Sequence, residues 1–152
     1  MRVRDLMSKP VVTIGPSDSC QEAVARMHRA RVRHLPVINV DGDLVGVVTD
    51  RDLRHHLFSP RVFKELGATS VDVILRAVPV SAIMSTDVIS AEADADLGEA
   101  ARTMLEEKVG SLPVLDRGRL AGILTETDLL RHICCADAYC SPEVAEIVVS
   151  YP

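Results

Sequence analysis

HLPVINVDGDLVGVVTDRDL, residues 34–53, decides the fold, because the chain repeats its pattern at residues 111–129 as SLPVLDRGRLAGILTETDL. In the first stretch, residues 35–38 form a short apolar run that suits a buried strand. Asp41-Gly42 then makes a hairpin turn, residues 44–49 form the return strand, and a helix begins at Asp50 and runs to residue 57. In the second stretch Gly118 marks a turn shortened by one residue, residues 120–125 are the return strand, and residues 126–133 the helix. Working outward, residues 7–39 align with 84–116 and residues 44–57 with 120–133, giving 16 identities in 47 pairs, far above chance. Two copies of a unit of roughly 55 residues are too few for a solenoid. They are expected to pack face to face, because each alone leaves an apolar sheet face bare.

The rest of each copy completes a β-α-β-β-α unit. Residues 11–14, Val-Val-Thr-Ile, suit a first strand. Ser19 and Glu22 have the spacing of a capping box, and Cys20, Ala23, Val24 and Met27 fall on one helical stripe. In the second copy Asp96 and Glu99 flank the helix start, while Leu97, Ala100, Ala101 and Met104 line its inner face. The expected fold is therefore α+β, resembling α/β: two units packed sheet to sheet as a pseudo-twofold pair. Copy one spans 1–59, a linker 60–79 with a helix-like piece over 70–77, copy two 80–134, and an extension 135–152. In that extension Ser141 and Pro142 suit a helix start. Val144, Ile147 and Val148 would give that helix an apolar face, for a lid or a dimer contact.

Composition narrows the function. With two Phe, two Tyr and no Trp, the core must be aliphatic. The net charge of −5 divides into +2 for residues 1–60 and −7 for residues 61–152, so an anion would prefer the first half. An acidic chain with few aromatics argues against nucleic-acid binding. No apolar run approaches the ~20 residues of a membrane span, and residues 1–5 lack the apolar stretch of a signal peptide. A cytoplasmic protein with reduced cysteines is expected. No nucleophile elbow, Walker loop or zincin motif is present, so no enzyme activity and no catalytic cofactor are expected. His132, Cys134, Cys135 and Cys140 lack the paired short spacing of structural zinc ligands, and no metal is expected there. Cys20 reads as core, and His55-His56 as a helix end.

The duplicated patterns resemble a known family, the CBS (cystathionine beta-synthase) domain. In copy one the resemblance rests on VVTIGP (11–16), HLPV (34–37) and GVVTDRDL (46–53). In copy two it rests on Val88-Ile89-Ser90, SLPV (111–114) and GILTETDL (122–129). It implies a Bateman module, a two-domain disc with two equivalent clefts between the paired sheets. Such clefts hold AMP, ADP, ATP or S-adenosylmethionine. The modules commonly form homodimers and regulate an attached or partner protein.

The chemistry of the residues suits such a ligand. A carboxylate accepts hydrogen bonds from both hydroxyls of a ribose, and Asp52 and Asp128 sit in the first turn of a helix just past a strand end. Thr49 and Thr125, with the helix N–H groups, could face a phosphate; Arg51 and Thr127 lie between. The same Thr-x-x-Asp pairs also have the form of helix caps. Adenine would rest on Ile14, Val32 and Val47, or on Val109 and Ile123, with Thr13 and Ser90 adding polar contacts. The resemblance implies a basic residue reaching phosphate from just before the Leu-Pro strand. Copy one offers Arg33 and His34 before Leu35-Pro36, and Arg suits a bidentate phosphate contact. Copy two offers Lys108, Gly110 and Ser111 before Leu112-Pro113. One phosphate-competent cleft and a second, weaker one are therefore expected. Two other readings are a module holding S-adenosylmethionine in its less basic cleft, and a structural dimerisation module with empty clefts.

Overall fold

Local chemistry sets each helix. The computed structural model describes residues 1–57 and 71–136. Helix α1 (Cys20–Ala30) starts where Ser19 Oγ accepts the Glu22 N–H at 3.2 Å, and it stops at Arg31, whose φ of 55° is left-handed. The capping box there is half formed: the Glu22 carboxylate turns to Arg26 Nε at 2.7 Å instead. Cys20, Ala23 and Met27 face the core as expected, but Val24 faces out. In copy two, α4 (Leu97–Glu107) is capped by Asp96, which accepts the Gly98 N–H at 2.8 Å, and ends at Lys108 with the same φ of 55°. Ala100 and Met104 are buried; Leu97 and Ala101 are partly so.

Strand β1 (His34–Ile38) pairs antiparallel with β2 (Leu44–Thr49), and β2 runs into α2 (Asp50–Leu57). Helix α3 (Val71–Ala77) lies against α1 and α2. Copy two has β3 (Ala91–Glu92) parallel to β4 (Ser111–Asp116), β4 antiparallel to β5 (Arg119–Thr125), and then α5 (Glu126–Ala136). The molecule is thus a mixed fold of five helices and two small sheets among the described residues. The strand expected over residues 11–14 shrinks to a single bridge from Ile14 to Val37. Pro10 and Pro16 flank it and carry no N–H to extend a ladder. The helix expected at 141–149 lies outside the described residues.

Two aliphatic cores form, and each borrows from the other copy. Core one gathers Ile14, Cys20, Ala23, Met27, Leu35, Val37, Val48 and Leu53, and adds Val80 and Ile83. Core two gathers Ala93, Ala100, Met104, Leu112, Val114 and Leu124, and adds Val3. The exchange is hydrogen-bonded throughout. Val3 and Arg4 donate N–H groups to Ala95 and Ala93 carbonyls at 3.0 and 2.9 Å, while Val80 and Ser81 donate to Asp18 and Pro16 at 2.8 and 2.9 Å. Further along, Ser8 exchanges two backbone bonds with Ile123 (2.8 and 3.1 Å), and Ser85 two with Val47 (2.9 and 3.0 Å). The repeat sets unit boundaries by sequence, but packing hands the opening segment of each copy to its sister.

Glycine makes the crossing possible. A β-carbon at Gly46 would stand 2.7 Å from Met84 Sδ and 3.0 Å from the Ser85 carbonyl oxygen; at Gly122 it would collide with Met7. Met7/Met84 and Gly46/Gly122 are identical pairs of the repeat, and each methionine covers the other copy's glycine. Gly46→Ala is expected to cost about 1–3 kcal/mol, as overpacking does, and the cost should shrink in a Met84→Ala background. Chemical denaturation of the four proteins checks this; full additivity would contradict the contact.

Candidate functional site

The exchange lays Met84 and Ser85 of copy two beside β2 of copy one, and a cleft of about 950 Å³ opens between the copies. Copy one supplies Arg33 just before β1 and His34 at its start, Val47 and Thr49 from β2, and Asp50, Arg51, Asp52, Arg54 and His55 from α2. Copy two supplies Ser85, Asp87, Val88 and Ile89, then Lys108, Val109, Gly110, Ser111, Pro113 and Glu126. The volume falls in the range of small-molecule sites.

Asp52 both caps its helix and faces the cleft. Its Oδ2 accepts the Thr49 N–H at 2.9 Å and the Thr49 hydroxyl at 2.7 Å, while Thr49 Oγ1 accepts the Asp52 N–H at 3.1 Å. The cap uses one carboxylate oxygen; among the described residues Oδ1 has no partner. Asp128 makes the same cap with Thr125, at 2.8, 2.6 and 3.2 Å. Its Oδ1, however, accepts the Ser8 hydroxyl at 3.1 Å, and the residue is 7% exposed.

The charge in the cleft is uneven in pairing. Arg54 is bound to Asp50. Arg33, Arg51 and Lys108 form no ion pair among the described residues, so three free cations from both copies face one space. His34 is half-buried; burial and then the Arg33 charge push its imidazole below the usual range, against the opposite pull of Asp50, Glu126 and Asp52. Gly110 leaves room there: a β-carbon at Gly110 would be 3.5 Å from both His34 Nε2 and a Glu126 carboxylate oxygen.

The expected site residues divide differently from the sequence reading. Arg33, His34, Val47, Thr49, Arg51 and Asp52 meet Val109, Gly110, Ser111 and Pro113 in this one cleft. The two basic stretches, expected to serve separate clefts, therefore face each other. Ile14 and Leu35 are in core one, at 2% and 0% exposure, Pro36 is fully buried, and Val32 packs on the same core. Thr13 lies in a smaller hollow with Arg26 and Arg29, and its carbonyl accepts from Arg26 at 2.7 Å. Ser90, Ile123, Thr125, Thr127 and Asp128 do not line the central cleft. Sequence reasoning missed Ser85, Asp87, Val88 and Ile89, and also Asp50, Arg54, Glu126 and His55, the last read only as a helix end. The signal was present: a glycine at 46 and a methionine at 84 recur at 122 and 7, which marks a crossing between copies. Cys134 and Cys135 are exposed on α5, away from the cleft.

Comparison with known proteins places this geometry. A family model for the CBS domain matches residues 3–59 and 80–134. A CBS domain-containing protein of Dictyostelium discoideum is 39% identical over 129 residues, covering 84% of this chain and 88% of that protein. Other curated relatives are longer, and the chain spans 32%, 44% and 46% of three of them. Among solved structures, CBSX2 in complex with AMP superposes with a TM-score of 0.71 at 32% identity, covering 90% of this chain and 98% of that one. The CBS domain pair of MJ0100, in complex with 5'-methylthioadenosine and S-adenosyl-L-methionine, gives 0.71 at 26% identity, with 90% and 98% covered. No described helix is long and apolar enough to cross a membrane.

His34 yields a signed prediction. Its folded midpoint lies below 6.5, so between that midpoint and 6.5 the unfolded chain holds a proton that the folded chain lacks. The stability tied to His34 is fully present above 6.5 and falls as pH drops through that window. An anion in the cleft favours the imidazolium and should raise the midpoint. NMR titration of His34 with and without AMP checks both; a free-protein midpoint at or above 6.5 would contradict the first.

Proposed function

This chain belongs to the CBS domain family, and on that premise we propose that it is a regulatory module, without catalysis, whose central cleft takes AMP, ADP or ATP. The observation that carries this reading is the convergence of Arg33, Arg51 and Lys108, unpaired among the described residues, on a cleft that also holds the Asp52 carboxylate. The cations suit phosphates. Asp52 suits the ribose diol through its remaining oxygen. Val47, Val88 and Ile89 give the base an aliphatic wall. AMP in the related CBSX2 structure supports the same ligand class. A nucleotide touching both copies would bias their relative arrangement and so signal to a partner protein. The exposed side chains of Leu105, Leu130 and Ile133 on the helices of copy two suit a homodimer contact.

S-adenosylmethionine is the second candidate, since a related CBS pair holds it. Three cations, unpaired among the described residues, favour a phosphate over its sulfonium, which would seek Asp87 and Glu126 in the same cleft instead. A thermal-shift panel of adenosine, AMP, ADP, ATP and S-adenosylmethionine separates the two. A nucleotide at a hundred times its Kd should stabilise the protein by about 2.7 kcal/mol. Arg33→Ala and Lys108→Ala should each weaken ATP about tenfold, or ~1.4 kcal/mol, by calorimetry, and leave adenosine nearly unchanged. Stabilisation by S-adenosylmethionine alone, or by nothing in the panel, would overturn the reading.

A further inference from the structure

The two Thr-x-x-Asp caps are alike in their own bonds and unlike in their surroundings. Ser8 and Ser85 occupy matching places in the repeat, each following a methionine and each exchanging two backbone bonds with the other copy's return strand. Their hydroxyls diverge. Ser85 lines the central cleft and makes no bond to Asp52 among the described residues. Ser8 Oγ donates to Asp128 Oδ1 at 3.1 Å. The cap holds the other oxygen of Asp128, and Arg131 stands 3.9 Å from Oδ1. Asp128 therefore has both oxygens bonded at 7% exposure, while Asp52 has one oxygen without a protein partner among the described residues. A hydroxylated sugar approaching Asp128 would compete with the Ser8 hydroxyl, which already makes the kind of bond the sugar would offer.

We propose that Ser8 is a built-in occupant of the second cap: its hydroxyl stands in for a ligand hydroxyl at Asp128, so the module binds one nucleotide per chain at the Asp52 cleft. This rests on the nucleotide reading above, and it adds a residue that sets the stoichiometry. Calorimetry with AMP on the full chain tests it. The wild-type protein should give one site, Ser8→Ala a second site, and Ser8→Thr, which restores a hydroxyl, one again. Two equal sites in the wild type, or one site in Ser8→Ala, would overturn it. A ligand-free thermal-melt cycle of Ser8→Ala and Asp128→Asn keeps the two claims apart. The occupant predicts Tm losses that are less than additive, and additive losses overturn it even if AMP binds nowhere. Absence of AMP binding with coupled Tm losses counts against the nucleotide reading alone.

Discussion

A methionine thioether lying over a bare glycine backbone is the contact on which the rest of the molecule depends. Met84 crosses Gly46 in one direction and Met7 crosses Gly122 in the other. Any side chain at either glycine would meet sulfur, and at Gly46 the following carbonyl as well. The crossing brings Ser85 into register with Val47 and Ser8 with Ile123. It also carries Val80 and Ile83 into core one and Val3 into core two. A chain with almost no aromatic side chains fills two small aliphatic cores this way, because each copy completes the other's.

The same crossing builds the cleft. With Met84 and Ser85 held along β2, the Leu-Pro strands of both copies bring Arg33-His34 and Gly110-Ser111 to a common space. There the Thr-x-x-Asp motif is proposed to serve two ends at once. One carboxylate oxygen satisfies the Thr49 N–H and hydroxyl, which fixes the start of α2, and the fixed carboxylate is thereby aimed without depending on a ligand. In copy two the geometry of the cap is the same, but Asp128 Oδ1 also accepts the hydroxyl of Ser8. The capping role of Asp52 is therefore compatible with the binding role proposed for it.

Local pattern made much of the fold legible. The hairpins, the return strands and the caps at Ser19 and Asp96 follow from short-range hydrogen bonding and burial, and they stand close to where the sequence places them. Val24 escaped because an apolar residue at the edge of a stripe can face solvent. The strand at residues 11–14 is reduced to the Ile14–Val37 bridge, and its counterpart in copy two is only Ala91–Glu92, so an apolar run alone overstates the ladder. The site was harder. Which basic stretch faces which carboxylate depends on contacts between residues nearly eighty apart, and spacing within one copy says nothing about them. Ile14, Leu35 and Pro36 carry the family pattern for packing, so a motif read residue by residue mixes wall with foundation.

The most direct test is a crystal structure of the full chain grown with ADP. One nucleotide is expected between the copies, its ribose on Asp52 Oδ1 and its phosphates among Arg33, Arg51 and Lys108. A nucleotide seated instead against Thr13 and Arg29, or a cleft filled by side chains under saturating ADP, would contradict it.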